Sequence, residues 1–269
     1  MKTVLITGSS SGIGRESVKY FLKKGWNVVA TMRSPEKETE FTQIDNVLCL
    51  QLDVENEQSI EKAIKATITH FGKIDVLVNN AGYAAVGAFE AASPEQVKKQ
   101  FDVNVFGLMN VSRAILPYFR KQRSGTIINV ASVAGKVSFP TFSLYNATKF
   151  AVEGFSEALQ FELRDLDILV KVIEPGPINT DFYGRSMDVL KKEGLTDYDS
   201  FINKAIQRMN EMGTKGHSPV EVAKVIFKAA SSNSHRIYYP VAYTAKTILL
   251  IKRVIPGSWL RAIIRKAMS

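Results

Sequence analysis

KTVLITGSSSGIGRESVKYFLKKG, Lys2 to Gly25, is the stretch whose reading decides the fold. Its first six residues form a short β-branched run, which stops at the glycine-rich turn GSSSGIG, Gly8 to Gly14, and then opens into the amphipathic pattern RESVKYFLKKG. Strand, glycine turn and helix in that order aim backbone N–H groups and a helix N-terminus at a single point, which suits a phosphate. Glycines let the backbone approach such a ligand closely. A glycine turn is common by itself; its place between a strand and a helix is what carries the reading.

Further strands and helices alternate outward from this unit. WNVVATMR, Trp26 to Arg33, is a second strand, and its end is where an open α/β sheet would meet the adenosine ribose of a dinucleotide. A carboxylate there would bond a free 2′-hydroxyl, whereas an arginine would accept a 2′-phosphate. The sequence offers Met32 and Arg33 with no carboxylate, and Arg15 just past the glycines is a second cation. NADP(H) is therefore expected over NAD(H). VLCLQLDV, Val47 to Val54, reads as a third strand ending in Asp53, placed to meet the adenine. A polar helix from Glu57 to Phe71 and the strand KIDVLVNNAG, Lys73 to Gly82, follow. Small residues at the end of that last strand suit a tight crossing over a cofactor.

Ser93-Pro94-Glu95 has the N-cap and first-turn proline of a helix start. That helix carries FDVNVFG, in which Asn104 sits amid apolar neighbours. A mid-helix asparagine competes with the helix backbone, so it either bridges a local break or holds a water. A second helical stretch runs to Arg123, and the strand GTIINVAS, Gly125 to Ser132, ends in a hydroxyl thirteen residues before Tyr145. YNATK, Tyr145 to Lys149, then places a phenol and an ammonium on one face near the start of a helix. A phenol with pKa near ~10 is a poor acid or base at neutral pH, and a fixed cation beside it favours phenolate. The pair reads as an acid/base unit, although Tyr20 and Lys24 have the same spacing and Ser143 is a rival hydroxyl. LVKVIEPGPINT, Leu169 to Thr180, is a strand closed by Pro-Gly-Pro. Asp181 to Gly216 is polar, partly helical and without strand signal, as substrate lids commonly are. A helix restarts at Ser218-Pro219, and RIYYPV, Arg236 to Val241, is a last strand.

Length and composition, 269 residues with 45% hydrophobic, suit one domain spanning 1–269. MKTVLITG runs directly into a strand, leaving no room for a signal peptide, and no apolar run spans a membrane; a cytoplasmic location is expected. One cysteine, Cys49, excludes an internal disulfide and is expected to be a buried structural thiol. His70, His217 and His235 lack ligand spacing, so no metal is expected. The net charge of +9 is uneven: Val222 to Ser269 holds nine basic residues and no Asp or Glu, while the preceding part balances 26 against 26. Such asymmetry points to an anionic partner or surface. Nothing in the pattern suggests nucleic acid.

Seven motifs in order, TGSSSGIG, Asp53, NNAG, NVFG, Ser132, YNATK and PGPINT, resemble those of the short-chain dehydrogenase/reductase family, over Lys2 to about Thr180. The resemblance implies an α/β Rossmann-type fold, a doubly wound parallel sheet of about seven strands with helices on both faces. It also implies a homo-oligomer. By the same resemblance, Tyr145 would protonate the carbonyl oxygen as hydride arrives, Lys149 would lower the Tyr145 pKa and bond the ribose, Ser132 would hold the substrate oxygen, and Asn104 would position a water leading to Lys149. Gly8, Ser10, Ser11, Gly12, Ile13, Gly14, Arg33, Asp53, Val54, Asn80, Ala81, Gly82, Pro175, Gly176, Ile178 and Thr180 would line the dinucleotide together with Tyr145 and Lys149. ATMR and the long basic C-terminus look like hydroxysteroid and retinol dehydrogenase-like members.

The expected activity is NADP(H)-dependent reduction of an apolar ketone or aldehyde, or the reverse. A 3-oxoacyl thioester substrate is an alternative, as is a non-catalytic NADP(H)-binding sensor or scaffold on the same fold. Substrate choice is expected in Ala84–Ala91, Phe139–Leu144 and 181–216, where Tyr83, Phe89, Phe139, Phe142, Phe182 and Tyr183 offer apolar surface or core packing. The basic amphipathic extension 242–269 is expected to close the pocket or pack between subunits, with membrane contact or docking of an acidic carrier as alternatives. Trp259 and Leu260 would be core in the first case.

Overall fold

The computed structural model describes residues 1–184 and 186–268. In chain order the elements are β1 (Thr3–Ile6), α1 (Gly12–Lys23), β2 (Asn27–Met32), β3 (Val47–Gln51), α2 (Glu57–Phe71), β4 (Val76–Asn79), β5 (Ala84–Val86), α3 (Pro94–Phe101), α4 (Leu108–Gln122) and β6 (Gly125–Val130). The second half continues with α5 (Ser143–Leu163), β7 (Ile168–Pro175), β8 (Met187–Val189), α6 (Asp199–Thr214), α7 (Pro219–Ala230), β9 (Tyr238–Val241), α8 (Ala242–Val254) and α9 (Gly257–Met268). Seven strands form one sheet in the order β3-β2-β1-β4-β6-β7-β9, and all its pairings are parallel. The expected doubly wound sheet of about seven strands is what the chain forms.

Parallel strands are buried on both faces, and their period of two divides the core. In β1, Val4 and Ile6 face α1 and α7 and pack with Val18, Phe21, Val222 and Ile226. Leu5 faces the opposite way, into a layer built from Ile60 and Ile64 of α2, Val111, Ile115 and Phe119 of α4, and Leu159 and Leu163 of α5. Local signals set the helix ends. Asn56 Oδ1 accepts from Ser59 N at 2.9 Å to cap α2, and Gly72 closes it with φ of 80°. Ser93 and Gln96 form a capping box at α3. A polar chain crosses the sheet's centre: Asn79 Nδ2 donates to Ser112 Oγ and to Asn129 Oδ1 at 2.9 Å each, and Asn129 Nδ2 donates to Ser156 Oγ at 2.8 Å. Buried networks of this kind help to fix one register, and in this one only Asn79 Oδ1 is left without a hydrogen-bond partner among the described residues.

Three features depart from the sequence reading. The segment 181–216 is not strand-free: β8 pairs in parallel with β5 in a separate two-stranded sheet, a run of three residues too short to show a period. Cys49 is half-buried rather than buried, packed beside the core with its thiol pushed up by desolvation. The helical stretch through Asn104 is not one α-helix; Asp102–Gly107 is a π-type turn joining α3 to α4. Of Tyr20 and Lys24, the matched control for YNATK, the first lies on α1 and the second caps its C-terminus; the Lys24 ammonium sits 5.7 Å from the Tyr20 ring centre and Tyr20 packs on Phe227.

Phe119 tests the layer beneath the sheet. It is fully buried, and a Cβ at Gly125 would come within 2.3 Å of its ring, so the two are fitted to one another. Phe119→Ala is expected to cost about 3–5 kcal/mol in a denaturant unfolding curve, with the m value unchanged.

Candidate active site

A cavity of about 1100 Å³ runs along the C-terminal ends of the central strands, from the β1–α1 turn to the last residues of α9. Of the predicted dinucleotide residues, all but Gly14 line it. Gly14 lies beneath the turn, where a Cβ would meet Gly8 O at 2.2 Å and Asn80 Nδ2 at 2.6 Å. Gly8 itself has φ of 67°, which a side chain would strain. Asn80 does not reach out toward a ligand; its Nδ2 donates to Thr7 O and Gly8 O at 3.0 Å each, and Thr7 Oγ1 accepts from Asn80 N and Ala81 N. Those bonds use the turn's carbonyls, so its dipoles can present N–H groups to an anion. A cradle this tight, open on one side, fits a dinucleotide pyrophosphate.

At the far end of β2 the wall contains Arg33, Ser34 and Lys37. Two sequence readings change here. A carboxylate is present after all, because Glu38 folds back under the strand end and is 7% exposed. Arg15 is not a free second cation: its guanidinium bonds Glu38 Oε2 at 2.6 Å and Oε1 at 3.2 Å, and also reaches Glu40. Glu38 Oε1 further accepts from the backbone N–H groups of Glu40 and Phe41. Burial raises the Glu38 carboxyl, but Arg15 and these donors outweigh it and hold it below its ordinary value. Lys37, which sequence reading missed, is the additional cation at the wall. Asp53 caps its own turn, accepting from Glu55 N at 3.1 Å.

Tyr145 and Lys149 stand in the first two turns of α5, and both line the cavity beside Ser132. The Lys149 ammonium lies 5.6 Å from the Tyr145 ring centre and donates to Val130 O at 2.9 Å. Burial pulls its pKa down to about 8, against a smaller upward pull from Glu153 one turn along. Glu153 is pushed up to about 7, chiefly by burial and then by Glu174. Lys136 Nζ lies 3.1 Å from Glu153 Oε2, close enough for an ion pair but not aligned as a hydrogen bond. The Ser132 hydroxyl accepts from Ala134 N at 3.1 Å and makes a long contact of 3.4 Å to Pro175 O. Ser143, the rival hydroxyl, is exposed and outside the cavity wall.

Asn104 is not in the wall. Its side chain braces the neighbouring backbone: Oδ1 accepts from Tyr83 N at 3.0 Å, and Nδ2 donates to Tyr83 O at 2.8 Å and to Thr148 Oγ1 at 3.3 Å. Of the two explanations offered by the sequence, the backbone break describes what this side chain does. Gln100, one turn earlier and fully buried, completes the brace by accepting from Ala85 N at 2.5 Å and donating to Tyr83 O at 3.0 Å. It was missed, although a second amide four residues before Asn104 was a visible signal. Asn146, also missed, donates to Ala134 O and Val137 O and accepts from Phe139 N, which folds the Ser132–Phe139 loop onto α5.

The wall beyond Tyr145 is mostly apolar, with Asp181, Ser186, Asp188 and Thr244 as its polar members. Phe139, Phe142, Phe182 and Tyr83 contribute as expected, whereas Phe89 is 61% exposed and takes no part; the side chain of Tyr183 lies outside the described residues. Met187, Met209, Met212, Ile248 and Met268 add to its apolar part and were not foreseen. These residues come from one short strand and three helices, with only Met209 and Met212 sharing an element, so no one stretch of sequence announces the wall. On α9, Leu260 is buried with Ile264 and Met268, but Trp259 is not core; it is 66% exposed.

The pattern of the short chain dehydrogenase family matches residues 2–189. A 3-ketodihydrosphingosine reductase of Bacteroides thetaiotaomicron is 37% identical over 226 residues, 84% of this chain and 82% of that one. Retinol dehydrogenase 8 of Bos taurus is 36% identical over 246 residues, covering 86% and 78%. Among solved structures, a short-chain dehydrogenase/reductase from Burkholderia phymatum in complex with NAD superposes with a TM-score of 0.82 at 26% identity, covering 94% and 92%. The order of strands, the glycine turn and these relatives agree: the chain belongs to the short-chain dehydrogenase/reductase family of oxidoreductases, whose fold binds nicotinamide cofactors.

Proposed function

We propose that this protein is an NADPH-dependent reductase of an apolar, lipid-like ketone or aldehyde, with Tyr145, Lys149 and Ser132 as its catalytic residues. The observation that carries the reading is the buried Lys149 ammonium held 5.6 Å from the Tyr145 ring centre in the wall of a cavity that begins at a phosphate-sized glycine turn. When bound, the cofactor supplies the hydride that adds to the carbonyl carbon. Tyr145 gives its hydroxyl proton to the carbonyl oxygen as negative charge develops there. Lys149 stabilises the resulting phenolate electrostatically, an effect enlarged by the dry surroundings that also make its own charge costly. Ser132 donates to the same oxygen; its present contact at 3.4 Å is too long to compete strongly for the proton. Asn104 and Gln100 act as positioning residues, since they hold the Tyr83–Ala85 segment against α5.

NADPH is favoured because Glu38, the acid nearest the expected ribose, is already engaged by Arg15, while Arg33 and Lys37 remain exposed at the wall. Phe139, Phe142, Met209 and Met268 favour an extended hydrocarbon, and methionine adapts to irregular shapes. The names of the two relatives, both enzymes of lipid alcohols or ketones, support the same class.

Tyr145→Phe should lower turnover by at least ~100-fold while leaving NADPH affinity within about threefold; unchanged turnover in a NADPH absorbance assay rules out this acid. Because Lys149 is charged below about pH 8 and loses its proton as pH rises through that value, kcat/KM for reduction should fall on the alkaline side. A profile that stays level from about pH 7 to about pH 10 rejects the assigned role. Replacing both Arg33 and Lys37 by Asp should shift preference from NADPH toward NADH by roughly ten- to a hundredfold, the worth of a charge-assisted contact of about 1.5–3 kcal/mol. An unchanged ratio of kcat/KM for the two cofactors excludes a 2′-phosphate site there.

A further inference from the structure

The two C-terminal helices have an inner and an outer face, and only the inner one is explained by the cavity. Inside, Ile248 of α8 and Met268 of α9 line the wall, and Leu260 and Ile264 pack beneath. Outside, Tyr243, Leu250 and Val254 of α8 are 71%, 62% and 69% exposed, and their spacing of seven and four residues puts them on one stripe. Trp259 and Ile263, one turn apart on α9, are 66% and 56% exposed. Five of the thirteen large exposed apolar side chains among the described residues therefore fall on these two helices. Arg261 and Arg265 run along the opposite flank of α9, and no acidic residue occurs anywhere between Val222 and Ser269.

We infer that this outer face docks on an anionic lipid bilayer, with α8 and α9 lying in the plane of the interface and the apolar cavity directly behind them. An apolar stripe bordered by arginine and lysine, with an exposed tryptophan, is the pattern of an interfacial helix. Tryptophan prefers the headgroup level, and long cationic side chains keep their charge in the anionic layer while their stems lie along apolar surface. No described helix is long and apolar enough to cross a membrane, so contact is in plane rather than spanning. A second copy of the chain suits this face poorly, because a two-fold interface would set the cations of α8 and α9 against the same cations, with no carboxylate on either helix to answer them. An acidic protein would answer the charge but leave the stripe of Tyr243, Leu250 and Val254 without a counterpart. The inference uses the reductase reading only to say what the cavity receives.

Full-length protein should co-sediment with phosphatidylcholine vesicles that contain phosphatidylserine and not with phosphatidylcholine alone, and rising salt should release it. W259E/I263E should reduce the partition coefficient by at least about tenfold, as should R261E/R265E, with the thermal melt and NADPH binding of each variant unchanged. Trp259 emission should shift to the blue on binding; W259F removes that signal and leaves the buried Trp26 as background. Failure of the wild-type protein to bind anionic vesicles, or binding by W259E/I263E equal to wild type, overturns the inference. A wild-type dimer that W259E/I263E splits in sedimentation velocity, without vesicle binding, also overturns it and makes the face a subunit contact. Vesicle binding by a chain that reduces no apolar carbonyl supports the inference and removes the reductase reading.

Discussion

The burial of one ammonium beneath one phenol is the constraint on which the rest of this structure depends. Lys149 donates to Val130 O, and the pull of burial lowers its pKa to about 8. That acceptor exists because β6 ends at Val130, and the ammonium reaches it because α5 packs on the sheet through Leu159 and Leu163. Moving α5 along its axis by one residue, about 1.5 Å, would break the contact and take its backbone acceptor from a buried charge. The order of the strands thus matters for chemistry as well as for packing, since β4, β6 and β7 all deliver residues to one edge of the cavity.

Around the lysine, carboxylates and cations alternate inward from solvent: Lys136 at the rim, then Glu153 and Glu174, then Lys149. Burial raises both carboxyls, most of all Glu153. Burial thus draws the two groups toward one another, Glu153 up to about 7 and Lys149 down to about 8. The cofactor end is arranged differently. There Arg15, Glu38 and Glu40 are tied together at the surface edge of the sheet, leaving the exposed cations to whatever binds.

Much of this was legible in the sequence, and the reason is locality. The glycine turn, the helix from Glu57 to Phe71 and the Tyr145–Lys149 pair are written in consecutive residues, where period, caps and glycine placement report directly on geometry. Glu38 was not legible, because its approach to Arg15 depends on how the chain turns after β2 and not on any spacing. The methionines of the substrate wall were hidden for a related reason: they come from β8, α6 and α9, and only the tertiary fold gathers them. Asn104 falls between these cases. The sequence marked it as anomalous within a helix, and the coordinates supplied the π-type turn and the Tyr83 backbone that it serves.

The brace formed by Gln100 and Asn104 has a consequence for the chemistry nearby. Each side chain accepts from one backbone N–H and donates to one backbone carbonyl of the Tyr83–Ala85 segment, so together they act as a surrogate strand beside a stretch that has left the main sheet. A carboxamide offers both functions from separate atoms of one planar group, and it does not titrate near neutral pH. The frame that holds the acid in place is consequently indifferent to proton concentration, even where the charges it supports are not.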